Sequence, residues 1–122
     1  MIRYLTYENL LNLNKKLNEM SGKLQTNFNK QRIRDIIRAA NNEPDINKAA
    51  AIYFYGITKH PFRGANRRTA FYATDIFLKW NGKKLSDEFH GEKTRNLFYK
   101  IRDKNISLKE TTAELNKVIV SL

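Results

Sequence analysis

"INKAAAIYFYGITKH", residues 46–60, is apolar around almost its whole circumference from Ala49 to Ile57 when wound as a helix. A surface helix carries one apolar stripe, whereas a helix apolar all round is buried by neighbours on every side. This segment is therefore expected at the centre of the fold. Pro44 disfavours a helical residue before it, and Asp45 supplies an N-cap. The flanking segments have the one-sided pattern that such a centre requires. Residues 7–20 place Leu10, Leu13, Leu17 and Met20 at helical steps, with Thr6 as N-cap and Ser21-Gly22 as the stop. Residues 30–41 repeat the pattern with Ile33, Ile36, Ile37 and Ala40 behind Asn29. Beyond the centre, a helix over about 67–80 shows Ala70, Ala73, Ile76, Phe77 and Trp80, and ends at Asn81-Gly82. Another over about 91–103 carries Leu97, Phe98 and Ile101. The last opens on Ser107 and Glu110 at capping-box spacing and lines up Leu108, Thr111, Leu115, Val118, Ile119 and Leu122. Strand-like character is confined to "IRYLT" at residues 2–6 and "KLQTN" at 23–27. The expected fold is all-α, six helices around a buried one, in a single domain spanning 1–122.

Composition narrows the chemistry. The 122 residues contain no cysteine, which removes disulfides, Cys-built zinc sites and thiol nucleophiles. His60 and His90 are the only histidines, too few for a His-rich metal centre. No stretch approaches a membrane span, and "MIRYLTYENL" lacks the features of a secretory leader, so a soluble cytoplasmic protein is expected. Twenty-three Lys and Arg against twelve Asp and Glu give a net charge of +11. Such a field attracts nucleotides, nucleic acid or acidic proteins. The basic residues are spread along the chain rather than gathered in an arm, which disfavours nucleic acid as the dedicated partner. A basic protein with no polyanion site is the plain alternative.

The polar interruption after the central segment, "HPFRGANRRTAF" at residues 60–71, carries the functional signal. Pro61 stiffens the chain, and Phe62 is an apolar plug in a polar loop. Gly64, Ala65 and Asn66 allow backbone N–H groups to face outward, and the following helix start favours negative charge. Arg67 and Arg68 add two forked donors suited to phosphate oxygens. These five residues make an anion cradle, with His60 at its edge as a proton acceptor for an attacking hydroxyl. Against this stands the reading of His60 as a helix-end histidine and of the arginine pair as solvated surface. His90, in "DEFHGEKT", reads as a loop residue.

The stretch resembles the core motif of the Fic/Doc family, H-x-F-x-[D/E]-[G/A]-N-[K/G]-R, and is closest to its Doc branch. His60, Phe62, Ala65, Asn66, Arg68, Thr69 and Ala70 fall on the pattern, Arg67 replaces the usual Lys, and "FLKWNG" at 77–82 is similar to the close of the next helix. The resemblance implies a Fic-type helical fold with His60 as general base and Gly64 to Arg68 holding the phosphates of ATP. Many AMP-transferring members carry a second Arg where this chain has Phe71; Doc toxins lack it and are implied to deliver the terminal phosphate instead. It further implies a target hydroxyl on a translation protein similar to elongation factor Tu, and a small antitoxin as partner. The flap that positions the target in such relatives would correspond to residues 22–29 or 41–46.

One position departs. Gly64 stands where the family has the acid that holds Mg²⁺. Mg²⁺ in phosphoryl transfer normally sits on a carboxylate, and Asp75 is two helical turns too far along. The sequence therefore offers no metal ligand at the motif. Three readings follow: a degenerate member that binds nucleotide or a partner with little or no turnover, arginines standing in for the cation, or a substitution that silences a toxin for expression.

Overall fold

The computed structural model describes residues 1–122. The elements in chain order are α1 (Tyr7–Met20), α2 (Lys30–Asn41), α3 (Ile46–Thr58), α4 (Asn66–Trp80), β1 (Lys83–Leu85), α5 (Glu92–Arg102), α6 (Leu108–Asn116) and β2 (Ile119–Ser121). The architecture is all-α with a small two-stranded sheet. α3 is the central helix, in contact with α2, α4, α5 and α6. Ala49, Ala50, Ala51, Tyr53, Phe54, Ile57 and Thr58 are buried. The three small alanines let neighbouring helices close in, and Gly56 does the same for α2: a Cβ there would lie 2.6 Å from Ile36. Tyr53 packs edge-on against Phe77 at 5.0 Å, and its hydroxyl accepts from the Leu5 amide at 3.0 Å. Burial pushes this phenol up to about 12.

The helix starts follow local chemistry. Thr6, Asn29, Asp45 and Ser107 each accept from a backbone amide three residues on, as the sequence predicts. Ser107 and Glu110 form the reciprocal capping box, and Thr6 and Asn9 form another.

Three expectations are corrected. Neither residues 2–6 nor 23–27 form a strand; residue 3 is instead tied to Asn81 by two hydrogen bonds of 2.9 Å. The sheet lies elsewhere: β1 pairs antiparallel with β2, Lys83 opposite Ser121 and Leu85 opposite Ile119. The last helix accordingly stops at Asn116, leaving Val118, Ile119 and Leu122 off its face. Val118, Ile119 and Val120 are a β-branched run, stiff at χ1 and suited to extension, and β1 offers them an edge. Met20 is exposed, because the inward stripe of α1 runs through Leu10, Asn14, Leu17 and Asn18. Two asparagines thus face the interior, and they matter for the site.

Candidate active site

His60 is the second residue beyond α3, and its amide donates to the Ile57 carbonyl at 3.2 Å. Its φ is +62°. Helices often end in this left-handed conformation, but usually with glycine, and a side chain there stores about 1 kcal/mol or more. The backbone then turns through buried Pro61 and Phe62. The Asn29 amide donates to the Pro61 carbonyl at 2.7 Å, and Phe62 forms a bridge with Phe28. Ala65, the N-cap residue of α4, is also left-handed at φ +58°. Two strained non-glycine residues therefore bracket the motif loop. Of the two segments considered for the flap, residues 22–29 run beside the loop through Phe28 and Asn29, whereas Glu43 meets Tyr4.

Asn66 clamps the loop. Its Oδ1 accepts from the Phe62 amide at 3.1 Å, and its Nδ2 donates to the Phe62 carbonyl at 2.8 Å and lies 3.2 Å from His60 Nδ1. Contacts to one backbone N–H and one carbonyl fix which end of the carboxamide is which. His60 Nδ1 therefore faces a donor, so the neutral ring carries its proton on Nε2. The ring is exposed and stands edge-on to Phe98 of α5 at 5.9 Å. The Arg67 guanidinium lies over the same Phe98 ring at 5.9 Å. Phe98 thus joins the imidazole and the first motif arginine, a role its place in an apolar stripe does not reveal.

No side chain caps α4, and its first turn contains no acid, so its dipole and open amides face the loop uncompensated. Arg67 and Arg68 are both exposed. Arg68 reaches back to the Leu17 carbonyl at 3.4 Å. None of Arg63, Arg67 and Arg68 belongs to any of the seven ion pairs, which lie elsewhere. The structure thus brings His60, Gly64, Ala65, Asn66, Arg67 and Arg68 together at one helix start. His90 lies in the turn before α5, a loop residue as the sequence predicts; it is exposed and shares a cleft with Arg67 and Arg68 that the sequence did not suggest.

Gly64 is held by α1. Asn14 Nδ2 donates to the Gly64 carbonyl at 2.8 Å and to Thr69 Oγ1 at 3.1 Å. Asn18 and Gln25 each donate to Asn14 Oδ1 at 3.0 Å. This amide network explains the two buried asparagines and turns the Gly64 carbonyl toward α1. No group of three or more His, Asp or Glu side chains is positioned to hold a metal, and Asp75 is engaged by Lys79 at 2.8 Å and the Leu85 amide at 3.0 Å. The residues at the motif do not fit a carboxylate-held Mg²⁺. A Cβ at position 64 would lie 3.1 Å from Asn18 Oδ1. Gly64→Asp is therefore expected to fold with a loss of about 1 kcal/mol, from crowding and from two facing acceptors. A thermal melt checks this; a midpoint equal to or above wild type would mean that Asn18 yields freely.

A family model described as Fic/DOC family matches residues 4–78, more than half of the chain. The chain belongs to the Fic/DOC family. The match runs from the segment before α1 into the last turns of α4 and contains the whole motif. A search of curated proteins returns no match. Membership suggests a Fic-type AMP transferase or phosphotransferase. No helix is long and apolar enough to cross a membrane.

Proposed function

We propose that this Fic/DOC chain is a Doc-like toxin that moves the terminal phosphate of ATP to a hydroxyl of a translation protein similar to elongation factor Tu. The observation that carries this reading is the junction of the His60 ring with an uncapped helix start and unpaired arginines. Phe71 supports delivery of the terminal phosphate over AMP. It stands at the position where AMP-transferring relatives carry their second arginine, and its ring stacks on Phe89 at 6.3 Å.

In the transfer, the target oxygen attacks the γ-phosphorus, the bond to the bridging oxygen breaks, and ADP leaves. The hydroxyl proton passes to His60 Nε2. That nitrogen must first be bare, so the ring proton moves to Nδ1 and the 3.2 Å contact with Asn66 opens. Losing one neutral hydrogen bond costs about 1 kcal/mol, less than tenfold in rate. Open α4 amides, Arg67 and Arg68 hold the phosphate oxygens as charge shifts to the leaving group. Residues 22–29 would lie along the target chain, and a small antitoxin would cover the same face.

The test is incubation of the protein with elongation factor Tu and ATP labelled at the γ or the α phosphate. Label from γ only is expected. Label from α would make the chain an AMP transferase. Neither label, with ATP still bound, would establish the degenerate nucleotide-binding module that Gly64 favours.

A further inference from the structure

Asn14 sits in the body of α1, only 1% exposed, with every hydrogen-bonding position of its carboxamide filled. Nδ2 donates to the Gly64 carbonyl and to Thr69 Oγ1 of α4, while Oδ1 accepts from Asn18 and Gln25 at 3.0 Å each. A carbonyl only accepts, so the Gly64 contact fixes Nδ2 toward the motif loop and leaves Oδ1 for residues 18 and 25. The side chain is a two-sided joint. One side holds the motif loop and the start of α4, and the other holds the segment that follows α1.

That segment, residues 22–29, has few other anchors. At its far end the Asn29 amide donates to the Pro61 carbonyl at 2.7 Å and Phe28 bridges Phe62. At its near end the Lys23 amide still belongs to the turn that closes α1, donating to the Asn18 carbonyl at 2.9 Å. Between these ends only Gln25 is tied down, its Nε2 donating to Asn14 Oδ1 and to the Leu11 carbonyl at 3.0 Å each. Leu24, Thr26 and Asn27 are exposed, and their backbone amides donate to no group of the chain. With Gln25 in place the free span is Thr26 and Asn27 alone; without it the span grows to residues 24–27.

We infer that Asn14 and Gln25 are positioning residues: their contact holds segment 22–29 at a fixed distance from the motif loop, so that a target chain lying along it brings its hydroxyl to His60. For its effect on transfer this rests on the reading above; the tether itself belongs to this chain alone. Neither side chain bonds to His60, Arg67 or Arg68, so both act through the backbone they hold. An aliphatic side chain at position 14 would fill the same space but leave the Gly64 carbonyl without its donor and Gln25 without its acceptor. A buried polar network with every member satisfied rigidifies the parts it joins.

The full chain is compared with Gln25→Ala, Asn14→Ala and the double variant by amide hydrogen exchange and by transfer to elongation factor Tu. In Gln25→Ala the Asn29 amide should exchange about tenfold faster, while the Phe62 amide, held by Asn66, keeps its rate. KM for the target should rise about tenfold, the effect of ordering one residue's backbone on binding, with kcat within about threefold of wild type. ATP affinity should be unchanged. Asn14→Ala should speed Asn29 exchange as much, and adding Gln25→Ala should speed it no further, since the tether is already cut. Gln25 is only half-buried, so its truncation folds and decides the matter even where Asn14→Ala does not fold. Unchanged Asn29 exchange in Gln25→Ala would overturn the inference, as would equal acceleration of every amide, the mark of ordinary destabilisation. A target KM within about twofold of wild type would overturn it too. If the wild-type chain transfers no label, the transfer reading fails by itself, and the Kd for elongation factor Tu replaces KM: about tenfold weaker binding by Gln25→Ala upholds the inference, and equal or no binding overturns it.

Discussion

Replacing His60 with alanine should lower the proposed phosphate transfer by about 10²- to 10⁴-fold, the range of a general base, without unfolding the protein. The ring is exposed and makes only the edge contact with Phe98 and the 3.2 Å contact with Asn66, so its removal opens no cavity. The backbone strain at φ +62° belongs to any residue with a Cβ and remains in the alanine variant. His60→Gly should relieve it, raising stability by about 1 kcal/mol while abolishing transfer to the same degree. Activity and stability would then move in opposite directions at one position, which is expected of a residue kept for chemistry rather than for packing. ATP binding should survive both changes, because the phosphate contacts come from α4 and its arginines. Single-turnover transfer and urea unfolding of the two variants provide the check. A His60→Ala rate within threefold of wild type would remove the imidazole from the mechanism.

The central helix, the side-chain caps of α1, α2, α3 and α6 and the motif loop were legible because each rests on local chemistry. A helix apolar on nearly all sides from Ala49 to Ile57 has one stable solution, burial at the centre, and Thr6, Asn29, Asp45 and Ser107 each cap within three residues. Less legible were the contacts whose partners lie far apart in sequence. Asn14 reaches Gly64 across fifty residues, so periodicity alone placed Met20 rather than Asn14 on the inner face of α1. The clustering of asparagines, poor helix formers, at positions 12, 14 and 18 in the body of α1 was the available hint. The end of the chain failed for a different reason. Val118, Ile119 and Leu122 fit a helical stripe and a strand equally well over so short a span, and pairing with β1 decided between them. Phe98 could not have been singled out, since only the approach of α5 to α4 gives it neighbours of functional interest.

Asn66→Ala should cost about 3 kcal/mol of stability, far more than deletion of an ordinary surface amide. Asn66 is 5% exposed, and its carboxamide answers both the amide and the carbonyl of Phe62, which is itself buried. Alanine leaves those two backbone groups in the interior without partners, at about 1–3 kcal/mol each when water cannot reach them. In urea the midpoint should fall with an unchanged slope, since the surface exposed on unfolding is nearly the same. A loss below about 1 kcal/mol would mean that water replaces the clamp and that the loop does not depend on it. The effect on transfer separates folding from positioning. A domain of this size starts with about 5–15 kcal/mol, so after a 3 kcal/mol loss most of the chain stays folded. Transfer should nevertheless fall by tenfold or more, because the Phe62 turn and the His60 ring lose the one side chain that ties them together. A fall no larger than the unfolded fraction would show that Pro61, Phe28 and Phe98 suffice to hold the imidazole over the start of α4.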